Sequence, residues 1–396
     1  MSSDATTRIH LLDGRFYAGA PHPHFQWMRA HAPVYWDASG GVWGIALHED
    51  IMAIAKDPET FCSRFSSRPD APAFPSMINL DAPDHKRRRN LVNKGFSLRR
   101  VQDHEPKIRR ICGQLIDRIA ANGECDFVRD VAAPLPMMVI GDMLGVEPQD
   151  HDMLLRWSDD LIQATSVTAP PEVASRAMQA FEEYAEYNRR VVADRHKNPR
   201  DDLMSVLTHA EIDGERLSDE EILQEGLLIL VGGDETTRHV ISGGMEQLIR
   251  NPAQRRVLID APARIPTAVE EMLRWVTPIQ NMNRTATRSV ELRGQTIREG
   301  DKVLLLYPSG NRDERVFDRP FEFNVAREPN NHVAFGGYGA HFCLGASLAR
   351  LELRVMFEEV LRRLPDIQLA SDARLPLRPS NFIVGIESMP VVFPAR

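Results

Sequence analysis

One cysteine at the mouth of a helix constrains this chain more than any other feature. The stretch Phe335-Gly336-Gly337-Tyr338-Gly339-Ala340-His341-Phe342-Cys343-Leu344-Gly345 sets Cys343 behind a glycine-rich turn. From Leu344 onward the apolar positions Leu348, Leu351, Val355 and Leu361 recur at helical spacing, until Pro365 stops the pattern. A thiol at the positive end of a helix dipole is expected to have a lowered pKa and to stay deprotonated. Gly339 and Gly345 are expected to let the backbone approach a large flat ligand and to aim N–H groups at the sulfur. A haem iron held by cysteine requires such surroundings. The ordinary alternative is an inert cysteine buried after a loop, and the rest of the chain has to decide between the two.

Composition narrows the field. The 396 residues are 43% apolar and 26% charged, as in a globular protein with a sizeable core. The longest unbroken apolar run, Leu227 to Val231, is too short for a membrane span, and no N-terminal run reads as a signal peptide or anchor. Cys62, Cys112, Cys125 and Cys343 lack the regular spacing of a disulfide framework or zinc knuckle, so the cytoplasm is the expected location. A net charge of −8 argues against nucleic acid as a partner. The sign reverses locally in Lys86-Arg87-Arg88-Arg89, Arg99-Arg100 and Arg109-Arg110. These runs are solvated faces by default, or a patch that steers a small acidic partner.

Pro33 to Trp36 and Val42 to Ala46 read as a β-hairpin, and Ser289 to Tyr307 as a second β-rich patch with turns at Gly294 and Gly300. Val101–Asn122, Pro148–Ile162 and Pro171–His196 read as helices. The expected fold is mainly α with small β-sheets, as one continuous domain over 1–396.

A longer helix is expected from Asp219 to Arg250, opened by a capping box of Ser218 and Glu221. Its middle reads Gly232-Gly233-Asp234-Glu235-Thr236-Thr237. Two glycines inside a helix cost about 1 kcal/mol each relative to alanine, so something should offset them. Either a ligand approaches the helix closely, or a neighbouring helix does. Leu228, Gly232 and Thr236 share one face. A further pair, Glu271 and Arg274, lies in a helix bounded by Pro266 and Pro278, and alone would be an ordinary i,i+3 ion pair.

Taken together, these segments resemble the cytochrome P-450 family of haem-thiolate monooxygenases over nearly the whole chain, with one extra glycine, Gly336 or Gly337, in the cysteine loop. Cys125 to Asp130, Leu135 to Gly145 and Gly232 to His239 resemble the actinobacterial branch that oxidises the terminal methyl (C26/C27) of the cholesterol side chain. The resemblance implies haem b, sandwiched between the long central helix and the cysteine helix, with Cys343 as axial ligand and His85, Arg89, Arg284 and His341 clamping its propionates. It implies Thr236 and Glu235 as the pair delivering protons to dioxygen, and Glu271, Arg274 and Arg327 as a buried network that fixes the cysteine loop. Met77, Ile78, Leu228, Val231, Gly232, Met282, Phe382 and Ile383 are the expected substrate pocket, suited to an elongated sterol such as cholest-4-en-3-one. Electrons would come from a ferredoxin and its reductase, docking near Lys86, Arg87 and Arg88. Competing expectations are a macrolide, terpenoid or fatty-acid monooxygenase, and a non-catalytic haem sensor or carrier.

Overall fold

The computed structural model describes residues 8–164 and 171–395. Among the described residues ten strands are formed: Val34–Asp37 (β1), Val42–Ile45 (β2), Phe61–Cys62 (β3), Glu124–Asp126 (β4), Asn281–Ala286 (β5), Val290–Leu292 (β6), Gln295–Ile297 (β7), Lys302–Leu306 (β8), Gln368–Leu369 (β9) and Pro390–Val392 (β10). The largest sheet has the order β1-β2-β8-β5-β3. The expected hairpin is β1–β2, and β2 runs parallel to β8 with Val42 opposite Lys302. Of the second β-rich patch, β8 therefore joins the hairpin's sheet although far from it in sequence, whereas β6 and β7 pair with each other in a sheet of their own. Gly294 and Gly300 take φ of +75° and +85°, the left-handed turns that glycine tolerates.

Everything else is dominated by helices. The central helix spans Asp219–Arg250, with both halves of the Ser218–Glu221 capping box in place and three acidic residues in its first turn. It packs against the helices Pro134–Met143, His151–Gln163, Ile265–Val276 and Ala346–Arg363. The last of these is the cysteine helix, whose Leu348, Leu351, Val355 and Leu361 are buried as their spacing implies. Burying such a side chain contributes about 1.5–3 kcal/mol, which is why the apolar stripe decides which way the helix faces.

One expected helix is broken. In place of Val101–Asn122 there are two, Leu98–Asp103 and Glu105–Ala120, with His104 between them. Pro106, lacking an N–H, sits in the first turn of the second helix, where none is required, and so favours a restart there. Helix Pro171–Lys197 matches its expected span, and Pro148–Asp150 forms a 3₁₀ turn leading into His151–Gln163.

Candidate active site

Cys343 lies three residues ahead of the cysteine helix, whose N-cap is Gly345. Its own N–H donates to the Phe335 carbonyl at 3.0 Å, which closes the loop. The N–H groups of Gly345 and Ala346 hydrogen-bond the sulfur, as the sequence led us to expect. The sign of the thiol's shift is the opposite of expectation. Burial outweighs those N–H groups and the nearby Arg89 and Arg350 and pushes the pKa up, so the helix end alone does not keep the thiolate. The side chain nevertheless retains accessible surface, the combination expected of a group facing an internal cleft.

The glycines of the loop have separate tasks. A Cβ on Gly339 would lie 1.7 Å from the Ala55 carbonyl oxygen, and one on Gly337 would lie 2.5 Å from the Ala55 Cβ. Gly339 thus serves close packing on the helix His48–Ala55, which corrects the expectation that it faces a ligand. Gly345 does face open space. Gly336 takes φ of +95°, so a left-handed residue lies within the glycine pair that lengthens the loop.

Four nitrogen-bearing side chains converge beside the cysteine. His85 and Arg89 project one turn apart from the helix Asp84–Asn93, Arg284 comes from β5, and His341 from the cysteine loop. The rings of His85 and His341 lie 4.1 Å apart, and Arg89 Nη2 donates to the Phe342 carbonyl at 2.5 Å. Arg284 is buried, with its Nη1 donating to the Asn283 carbonyl at 2.8 Å. Burial, then the mutual proximity of these cations, lowers His85 to about 4 and His341 to about 2. Burial lowers Arg89 and Arg284 as well. His85 Nε2 is buried without a hydrogen-bond partner. The nearby carboxylate, Asp81, is already taken up by the Ser63 N–H at 2.8 Å and by Arg64 at 3.1 Å. A cluster of buried (His85, Arg284) and half-buried (Arg89, His341) nitrogen groups lacking anionic partners fits the two propionates of a haem whose iron would bind Cys343.

The central helix is buried through most of its length, but Leu228, Val231, Gly232 and Thr236 retain exposure along one face. A Cβ on Gly232 would meet nothing within 4 Å, whereas one on Gly233 would lie 2.5 Å from Ile140 Cγ1. Gly233 thus serves close packing on the helix Pro134–Met143, while Gly232 leaves open space on the exposed face. Thr236 Oγ1 donates to the Gly232 carbonyl at 3.0 Å. Glu235 is fully buried and binds Arg378 at 2.9 Å, Arg238, and His239 at 3.5 Å. Burial opposes its charge, but these three partners overcome it and hold the carboxyl at about 2. Arg378 carried no signal in the sequence.

The Glu271 network is formed in full. Arg274 donates to both Glu271 oxygens at 2.7 Å, Arg327 joins at 3.0 Å, and the Asn324 N–H adds a bond of 2.9 Å. Both guanidinium groups also bind backbone carbonyls of residues 311–322, in the segment leading to the cysteine loop. Glu271 and Arg274 are wholly buried.

Among the pocket residues, Met77 and Ile383 are buried, and Ile78, Met282 and Phe382 half-buried. The Phe382 turn pairs with the strand leading to Met282, through Gln280 N–H to the Phe382 carbonyl at 2.7 Å. The Met77 N–H instead reaches the central helix, donating to Glu225 at 2.8 Å. Glu225, unremarked in the sequence, was signalled there by a lone carboxylate within the apolar run from Ile222 to Val231.

The docking residues need correction. Arg87 pairs with Glu221 and Glu215, and Arg88 with Glu221 and Glu225, so both charges are neutralised within the fold. Lys86 alone of the three is exposed.

The chain is similar to known proteins over nearly its whole length. The sequence profile of cytochrome P450 matches residues 59–259 and 265–382. The steroid C26-monooxygenase of Mycobacterium tuberculosis (strain H37Rv) is 51% identical over 387 residues, covering 97% of each chain. The methyl-branched lipid omega-hydroxylase of the same organism is 38% identical over 391 residues, covering 93% of this chain and 90% of its own. Among solved structures, Mycobacterium marinum cytochrome P450 CYP268A2 in complex with pseudoionone superimposes with a TM-score of 0.90 at 34% identity, covering 99% of this chain and all of its own. No helix among the described residues is long and apolar enough to cross a membrane. The chain belongs to the cytochrome P450 family.

Proposed function

We propose that this chain, as one cytoplasmic haem b unit, oxidises the terminal side-chain methyl of cholest-4-en-3-one or cholesterol. The first turnover would convert R–CH3, O2, two electrons and two protons to R–CH2OH and water. Electrons would come from a ferredoxin and its reductase, with exposed Lys86 at the docking face. The observation that carries this reading is the partly open, largely apolar stripe of Leu228, Val231, Gly232 and Thr236 on an otherwise buried helix. The 51% identity to a steroid C26-monooxygenase supports the substrate class.

Bound haem supplies the activation of dioxygen. The chain supplies the rest. Cys343 provides the thiolate ligand, while His85, Arg89, Arg284 and His341 hold the propionates by charge-assisted hydrogen bonds. The one proton of the Thr236 hydroxyl is spent on the Gly232 carbonyl. Its lone pairs are free to accept a proton, and it donates onward only by releasing Gly232. Glu235 is held ionised by Arg238, His239 and Arg378, so release of partners such as Arg378 would favour its taking up a proton. Arg378 also approaches the half-exposed Glu387 at 3.7 Å, which offers it an alternative partner nearer solvent. The apolar residues Met77, Ile78, Met282, Phe382 and Ile383 would orient the sterol tail and exclude water.

The test is a spectral titration of the purified protein with cholest-4-en-3-one, fatty acids and a macrolide panel, beside the reduced carbon-monoxide spectrum. A low- to high-spin shift with the steroid and weak response elsewhere is the expected result. A normal carbon-monoxide band without a steroid response would remove the substrate and keep the enzyme class. The 38% identity to a methyl-branched lipid omega-hydroxylase makes branched lipids the second class to try.

A further inference from the structure

Glu225 sits one turn before Leu228 on the central helix and is wholly buried. Its Oε1 accepts two bonds from different parts of the chain. One is the Met77 N–H at 2.8 Å, from the pocket loop, and the other is Arg88 Nη1 at 3.1 Å, from the helix that carries His85 and Arg89. Its Oε2 has no hydrogen-bond partner. Arg88 grips the same loop from the other side, since Nη1 donates to the Pro75 carbonyl at 2.7 Å, while its Nε reaches Glu221 at 3.1 Å. Two side chains thus hold the three residues Pro75 to Met77, immediately before Ile78.

The loop is braced elsewhere as well, from within itself, from the sheet, and from Asn381, which accepts from Arg68 and donates to Asp70, each at 2.8 Å. Asn79 receives the Ser67 N–H at 2.6 Å and donates to the Phe74 carbonyl at 2.8 Å, and Asn283 of β5 donates to the Ser66 carbonyl at 2.9 Å. Those bonds shape the loop and anchor its start. The attachment of its pocket end to the central helix is the work of Glu225 and Arg88. A wholly buried carboxylate with one oxygen unsatisfied is a poor device for general stability. Burial, the largest influence on it, pushes its pKa up to about 7 against the pull of Arg88 and the Met77 N–H.

We propose that Glu225 is a positioning residue for substrate: with Arg88 it latches the Pro75–Ile78 segment to the central helix and so sets the pocket's width opposite Leu228. The inference rests on the reading of Met77, Ile78 and Leu228 as pocket residues. Admission of a long rigid sterol would then require the Met77–Glu225 and Pro75–Arg88 bonds to open together, and reclosure would press Ile78 on the bound molecule. A loosened loop would be felt as weaker binding and not as slower chemistry, because the Pro75–Ile78 segment carries none of the residues assigned to the haem.

The holoenzyme decides it, with Glu225→Ala and Glu225→Gln compared with wild type. Two readouts are taken: hydrogen exchange of the segment containing residues 76–79, and the cholest-4-en-3-one titration with turnover at saturation. The alanine variant is expected to exchange that segment faster and to weaken steroid binding by about tenfold, with saturated turnover within about twofold, the pattern of a lost binding contact. The glutamine variant keeps an acceptor for Met77 and should recover binding to within about threefold. Unchanged exchange in Glu225→Ala overturns the latch, and faster exchange with unchanged steroid affinity overturns the positioning role. If the wild type gives no steroid response, the substrate reading falls, and exchange alone judges the latch. Should Glu225→Ala fail to give the normal carbon-monoxide band, Arg88→Gln, which removes the grip on Pro75, is read by the same outcomes.

Discussion

The imidazoles of His85 and His341 lie with ring centroids 4.1 Å apart, one on a helix and the other in the cysteine loop. Two such rings and two guanidinium groups, crowded without a free carboxylate, are a poor arrangement for the polypeptide alone. The guanidinium charges repel each other, and burial, which with those charges keeps the imidazoles neutral, removes the water that would screen them. The arrangement makes sense when anions bind between them.

Arg284→Ala should therefore release haem faster. A charge-assisted hydrogen bond contributes about 1.5–3 kcal/mol, so transfer of haem to an apomyoglobin acceptor is expected to speed up by about ten- to hundredfold. An unchanged rate would remove Arg284 from the clamp.

Glu271→Ala leaves Arg274 and Arg327 buried without their carboxylate and the Asn324 N–H without its acceptor. Breaking a buried pair from one side costs about 3–5 kcal/mol, and the urea midpoint should fall accordingly, with loss of the normal reduced carbon-monoxide band. Retained stability would show that the network is dispensable for assembly.

The adjacent glycines offer a sharper contrast. Gly233→Ala forces a Cβ into Ile140 and should destabilise by about 1–3 kcal/mol by thermal unfolding. Gly232→Ala meets open space, so the fold should keep or gain stability from helix propensity, about 1 kcal/mol. Its added methyl should appear only as altered ligand binding in the spectral titration.

Acid stability should depend on Glu270. Burial raises its pKa, but two bonds from Arg350 at 2.7 and 2.8 Å and His332 at 3.1 Å bring it down to about 2 from an ordinary 4.5. A depressed carboxylate stabilises the fold above its unfolded pKa, and that contribution disappears as the pH falls from about 4.5 towards 2. Glu270→Gln should flatten the unfolding free energy across that window. An unaltered slope would assign the acid sensitivity to other groups.

Thr236→Ala removes one hydroxyl from the open face of the central helix. The ratio of peroxide released to electrons consumed should rise several-fold while the folded protein persists. Unchanged coupling would end its proposed role in proton delivery.

Much of the site was legible in the chain. The central helix matches its expected span because a capping box and an apolar run are local signals. The Glu271–Arg274 spacing and the glycine-rich turn before Cys343 are local too. The clamp was readable only through resemblance, since His85, Arg284 and His341 are ordinary residues until the fold gathers them.

What the sequence by itself determined was therefore the set of elements and the residue types they present, because period, capping and turn chemistry act over a few neighbouring residues. Tertiary structure alone decided the partners and the balance of opposing effects. It turned the Cys343 thiol upward by burial and placed Gly339 against Ala55. Within the fold it also tied Arg87 and Arg88 to the central helix and gave Glu235 to Arg378. Each of these depends on which distant groups share a buried space, where a charge without a partner is expensive and a Cβ has no room. No window of sequence contains that information.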